Sequence, residues 1–191
     1  MPPKKKQVIE QDVLRSFRTT EGVTHENLRK ILFTYAVVNP ELDYCQGMNF
    51  IAGFLYLFLG DEALAFAVMR QVINLFELST LFNTALPMLK MNFYRLDRLI
   101  ALLLPDLHGH LKDEAVNSSY FSSSYFITLF TQTMQHQPND EHMWRVLRIW
   151  DYFIIYGWKA IYKTIILILE ENEDLLLGLS FEKMLSQLPN L

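Results

Sequence analysis

Two short polar segments interrupt an otherwise apolar chain, and both carry side chains able to act on an anionic group. The first is Ile9-Glu10-Gln11-Asp12-Val13-Leu14-Arg15. The second is Asp43-Tyr44-Cys45-Gln46-Gly47-Met48-Asn49. An arginine guanidinium is planar, permanently charged and multiply donating. A glutamine amide both donates and accepts, so it can hold an anion and a water molecule at once. Asp12 lies three residues before Arg15; on a helix the two share a face, and the carboxylate can orient the guanidinium. Both segments fall in predicted loops or at helix starts, where functional side chains sit on a rigid scaffold.

The elements that must position them read as helices throughout. Apolar residues recur at helical spacing, with no convincing period of two. Leu28, Ile31, Leu32, Tyr35 and Val38 mark one face of a helix that Thr24 can cap and that Asn39-Pro40 ends. Gly47 to Leu59 is apolar nearly all round, as a central core helix would be. Asp61 can cap a helix to about Phe76, and Leu86-Pro87 opens another through Leu103. His108 to Asn117 reads as a polar connection. Ser122 to Ser124 can cap a helix ending near Gln137-Pro138, and Asp140 one that Gly157 closes. Lys159 to Glu171 and Phe181 to Leu188 complete an all-α reading of one compact domain.

Geometry allows the two segments to meet. The helix between them, from about Thr24 to Asn39, spans roughly 24 Å at 1.5 Å per residue. Ser16 to Val23 must run back along it, and eight extended residues reach about 26–29 Å. Gly22 permits the turn.

Composition narrows the function. The chain has 191 residues, 51% of them hydrophobic, and a net charge of −4, which argues against nucleic acid as the main partner. Lys4-Lys5-Lys6 reads as a solvated basic tail, or as an arm touching an acidic membrane. Cys45 stands alone, so no intrachain disulfide forms; a reducing compartment, cytosol or nucleus, fits best. Phe50 to Leu59 and Ile161 to Leu169 are far short of the ~20 residues a membrane helix needs. The five histidines show no metal pattern, and no P-loop is present, so the chain is not expected to hydrolyse GTP by itself.

The residues above resemble the fingerprint of a known family. Ile9, Asp12 and Arg15 match the IxxDxxR motif of TBC domains, the Rab GTPase-activating proteins, and Tyr44 to Met48 match the YxQG motif. Tyr125 to Phe130 and Arg148-Ile149-Trp150-Asp151 resemble the third block, while Asn39-Pro40-Glu41 and Phe50 to Gly53 fit the flanks of the second motif. The likeness covers Ile9 to Leu188. It implies a multi-helix TBC-type domain over 9–191, preceded by a tail over 1–8 and lacking the family's upstream helices.

The resemblance further implies a partner and a mechanism. The partner would be a Rab-family GTPase in its GTP form, with cytoplasmic or peripheral endomembrane placement through that partner. The chain would need no cofactor of its own, since the GTP and Mg are bound by the GTPase. Arg15 would be an arginine finger and Gln46 a glutamine finger, taking over a role the GTPase's own glutamine often has. Phosphoryl transfer needs charge stabilisation and a positioned water more than covalent help, which is what these two side chains supply. The alternatives are a catalytically weak GTPase-binding scaffold of the same fold, or a helical adaptor unrelated to GTPases.

Further residues have expected roles. Asp12 and Tyr44 support the fingers, with Tyr44 either bracing the loop or touching the GTPase. Arg148 and Asp151 form a structural ion pair around a buried carboxylate, or hold the finger loops from behind. Ile9, Gly47, Met48 and Asn49 are candidates for binding the GTPase. Phe121, Tyr125 and Phe126 either join them in a groove or fill the core. Trp144, Trp150 and Trp158 are expected in the core, and Cys45 as an inert thiol. Three departures from the family pattern stand out: Tyr125 where tryptophan is usual, Arg18 where proline commonly follows, and a longer stretch from Thr131 to Val146, read as a loop insertion.

Overall fold

The structure is a computed structural model. It describes all residues except 1, 19, 21, 41, 43, 83–85, 136–139 and 189–191, and the backbone alone at 135 and 140. Asp43, the side chain of Asp140 as a helix cap and the centre of the expected 131–146 insertion therefore lie outside the described residues. Helices make up the fold, and no strand occurs among the described residues.

The first four helices build the frame for the two polar segments. They are α1 (Pro3–Arg15), α2 (His25–Val38), α3 (Met48–Leu59) and α4 (Glu62–Leu75). Thr24 starts α2 with a reciprocal cap: its hydroxyl accepts from the Asn27 N–H at 3.2 Å, and Asn27 Oδ1 accepts from the Thr24 N–H at 3.0 Å. Asp61 starts α4 by accepting from the Leu64 N–H at 2.7 Å. Helix α3 is the centre of this group. It packs on α1, α2 and α4, and everything from Met48 to Leu55 is buried. Its apolar sequence has no solvent-facing stripe over those two turns because neighbours cover every side.

The chain after Arg15 returns along α3. Ser16 bonds to Asn49, the Phe17 ring lies against Gly53, and Gly22 lies beside Leu57. A Cβ at Gly53 would fall 2.1 Å from the Phe17 ring, so only glycine admits the ring there. Phe17 itself has φ +51, a left-handed conformation uncommon outside glycine. Burial of its ring holds that turn.

The remaining helices form a second layer: α5 (Leu78–Leu81), α6 (Pro87–Leu103), α7 (Pro105–Asp113), α8 (Ser119–Thr128), the 3₁₀ turn η1 (Thr131–Gln135), α9 (Asp140–Tyr156), α10 (Trp158–Glu171), α11 (Glu173–Leu177) and α12 (Phe181–Gln187). They join the first group where α4 meets α5 and where α3 meets α8 and η1.

Four sequence expectations change. Residues 3–8 are the first turns of α1 rather than a loose tail. Pro3 is suited to the first helical position, and Lys5 reaches across to donate to the Leu42 carbonyl at 2.5 Å. His108 to Asp113 belong to α7, because Pro105 opens it and Leu107 and Leu111 bury one face. Helix α8 stops at Thr128, well before Gln137. Leu129 and Phe130 both turn left-handed, with buried side chains, and the Trp150 indole donates to the Leu129 carbonyl at 3.0 Å. Trp144 is 65% exposed, because the buried stripe of α9 runs Val146, Trp150, Phe153 and leaves it on the outer face.

Candidate functional site

The last turn of α1 and the turn that starts α3 meet through a chain of buried polar contacts. Asp12 is only 3% exposed, so its carboxylate needs partners. It has two. Arg15, one turn on, pairs with Oδ1, and the Tyr44 hydroxyl donates to Oδ2 at 2.8 Å. The Arg15 side chain is still 48% exposed. The guanidinium is thus braced from behind and free to reach outward.

Asn49 makes the second tie. Its Oδ1 accepts from the Gly47 N–H at 2.9 Å, and its Nδ2 donates to Ser16 Oγ at 2.6 Å. The Ser16 hydroxyl in turn donates to the Asp12 carbonyl at 2.5 Å. The residue after Arg15 and the residue after Gln46 are therefore held by one fully buried amide. Gln46 is exposed on the turn before α3, and among the described residues its carboxamide has no hydrogen-bond partner. Gly47 makes that turn possible. Its φ is +117, and a Cβ would stand 2.4 Å from the Ile127 methyl of α8.

Burial and one charge set the local titration. Burial, and then the Asp12 carboxylate, push the Tyr44 hydroxyl far above its usual range, so it stays protonated and keeps donating. The same two causes raise the Cys45 thiol to about 11. Cys45 is consequently a neutral thiol near pH 7, a poor nucleophile although it adjoins Gln46. Among the described residues no group of histidine, cysteine and carboxylate side chains could hold a metal ion.

The structure places the other expected site residues differently. Ile9 and Asn49 are 0% exposed, Met48 is 1%, and Gly47 is buried, so none offers surface to a partner. Ile9 and Met48 are packing residues, while Gly47 and Asn49 shape the turn. Phe121, Tyr125 and Phe126 are core as well. Tyr125 stacks on Phe130 with ring centroids 4.6 Å apart, and its hydroxyl donates to the Leu188 carbonyl at 3.2 Å. That face of α8 turns inward because α3, α6 and α10 cover it. The buried ion pair expected of Arg148 and Asp151 is instead a loose surface contact of 3.8 Å, with both side chains mostly exposed. Asp151 follows Trp150 by one residue, which rotates it off the buried stripe of α9. Among the described residues, neither bonds to the Arg15 or Gln46 segments.

Sequence reading missed Ser16, Gly53 and Ile127. A serine after a helical arginine carries no distinctive signal. The roles of Gly53 and Ile127 depend on which side chain the fold sets against them.

A model of the Rab-GTPase-TBC domain matches residues 1–177. The chain is 30% identical over 184 residues to the Ecotropic viral integration site 5 ortholog of Drosophila melanogaster, covering 93% of this chain and 22% of that protein. It is 33% identical over 183 residues to the Rab GTPase-activating protein eat-17 of Caenorhabditis elegans, covering 93% and 20%. The chain spans about a fifth of the length of these curated relatives. Among solved structures, the Chlamydomonas flagellar RabGAP TBC domain superposes with a TM-score of 0.79 at 22% identity, covering 98% of this chain and 62% of that one. The Ypt/Rab-GAP domain of Gyp1p gives 0.80 at 18%, covering 97% and 66%. At these identities the two structures establish the fold.

Proposed function

The chain belongs to the Rab-GTPase-TBC domain family, and from that premise we propose that it accelerates GTP hydrolysis on a Rab-family small GTPase. Arg15 enters the partner's nucleotide site and stabilises the negative charge that grows on the transferring phosphoryl group. Gln46 enters beside it, donates to the phosphate and accepts from the attacking water. GTP and its Mg ion belong to the partner, so this chain turns over nothing of its own. It acts from the cytoplasm on a membrane-attached partner.

The observation that carries the reading is the pairing of exposure with bracing. Arg15 and Gln46 both face solvent, and the segments that bear them are locked together by Asp12–Tyr44 and Ser16–Asn49. Charge stabilisation of this kind works when the donors are fixed before the reaction, because no reorganisation is then needed at the transition state. An arginine supplied in trans contributes on the order of 10³–10⁵ in rate, or about 4–7 kcal/mol of barrier.

The test is phosphate release from a broad panel of GTP-loaded Rab proteins, with and without the chain. Acceleration of at least one member is expected, reduced by Gln46→Ala. Binding without acceleration across the panel would make the chain a scaffold, and neither binding nor acceleration would overturn the reading.

A further inference from the structure

We propose that the outer face of α6, α10 and α9 docks on an anionic membrane surface, a role separate from the site that bears Arg15 and Gln46. Helix α10 packs between the other two. Lys159 and Lys163 stand one turn apart along it and form a ridge. A groove of about 510 Å³ lies on the α9 side of the ridge and one of about 400 Å³ on the α6 side. A third, of about 460 Å³, continues onto α6.

Two features of this face go together. The first is charge. Arg95, Arg98, Arg148, Lys159 and Lys163 line the three grooves, and no acidic residue does. Asp151 stands at the edge, 3.8 Å from Arg148. The chain as a whole carries −4, so this cationic band runs against its own average. The second is protruding apolar surface. Leu102 is 76% exposed, Ile155 70%, Tyr94 63% and Tyr156 59%.

Together the two features favour a lipid surface over a protein. A helical peptide would need apolar anchors receding into one groove. Here the large side chains stand clear on α6 and α9, either side of the α10 ridge, with tyrosines of the kind that settle at a headgroup boundary. Interfacial binding sums buried apolar area and attraction to anionic lipid. Each cation near such a surface multiplies affinity about fivefold, so five give weak, reversible attachment rather than permanent anchoring. Such attachment would hold the chain beside a membrane-borne partner without fixing it there.

The test is co-sedimentation of the whole chain with vesicles of phosphatidylcholine, with and without about a third phosphatidylserine, at physiological salt. Binding to the anionic vesicles is expected, weakened by added salt. The pair K159E/K163E should cut it at least about twenty-five-fold, two factors of about five from the lost cations alone, with the added carboxylates repelled as well. A second pair, L102S/I155S, should weaken binding while leaving its salt dependence in place. Both pairs should keep wild-type helicity and wild-type stimulation of a soluble Rab in solution, so this proposal and the proposed function fail separately. Equal binding to neutral vesicles, no binding by wild type, or no effect of K159E/K163E would each overturn it. So would tight capture of an acidic amphipathic model peptide with no vesicle binding, which would mark a protein-docking face instead.

Discussion

The Tyr44 hydroxyl donates to the Asp12 carboxylate at 2.8 Å across 32 residues of sequence. That contact ties the helix bearing Arg15 to the turn bearing Gln46. It also satisfies a carboxylate that is almost fully buried.

Tyr44→Phe removes that donor and leaves Asp12 with Arg15 as its remaining side-chain partner. Hydrogen bonds to charged groups contribute about 1.5–3 kcal/mol. For a chain of this size each kcal/mol shifts Tm by about 2–4 °C. Thermal melting should therefore fall by several degrees, and stimulated GTP hydrolysis should fall with it because the Asp12–Arg15 pair is no longer tied to the turn that bears Gln46. A variant that melts and stimulates like wild type would show that the contact is incidental.

Gly47→Ala should damage the same site from the other segment. The position has φ +117, where an L side chain is strained by about 1–3 kcal/mol. The new Cβ would also meet the Ile127 methyl at 2.4 Å. Stimulation should drop at least tenfold with helicity retained. Adding Ile127→Ala removes the clash but not the backbone strain, so recovery should be partial. Full recovery would assign the whole effect to the clash, and no initial loss would contradict the geometry.

Acid should loosen the clamp between α1 and α2. Glu10 accepts from Arg29 Nε at 2.9 Å, and this hydrogen bond, above all, holds the Glu10 carboxyl below its ordinary 4.5. A group whose pKa is depressed on folding stabilises above its unfolded value and loses that contribution as pH falls through its folded one. The Tm gap between wild type and Glu10→Gln should be constant above pH 4.5 and close below it. A gap unchanged on acidification would show that the carboxylate charge contributes nothing there.

The fold was largely legible because its signals are local. Thr24 and Asp61 cap where their side chains allow, and α3 is apolar on every side because its neighbours enclose it. The motif segments were legible as well, though not which of their residues face out. Ile9, Met48 and Asn49 share a motif with Arg15 or Gln46 yet are sealed, and rotation about a helix decides which. What stayed hidden was long-range. Ser16 meets Asn49 across 33 positions, and Phe17 meets Gly53, only after α2 has folded back. Helix α8 ends early for a similar reason: buried partners impose left-handed turns at Leu129 and Phe130 that their residue types disfavour.

The most direct test is single-turnover GTP hydrolysis on a responsive Rab with Arg15→Ala. The Arg15 side chain is half exposed and Asp12 keeps its bond from Tyr44, so the variant should stay helical. Stimulation should fall by a factor on the order of 10³–10⁵. A folded Arg15→Ala chain that still accelerated hydrolysis to within tenfold of wild type would contradict it.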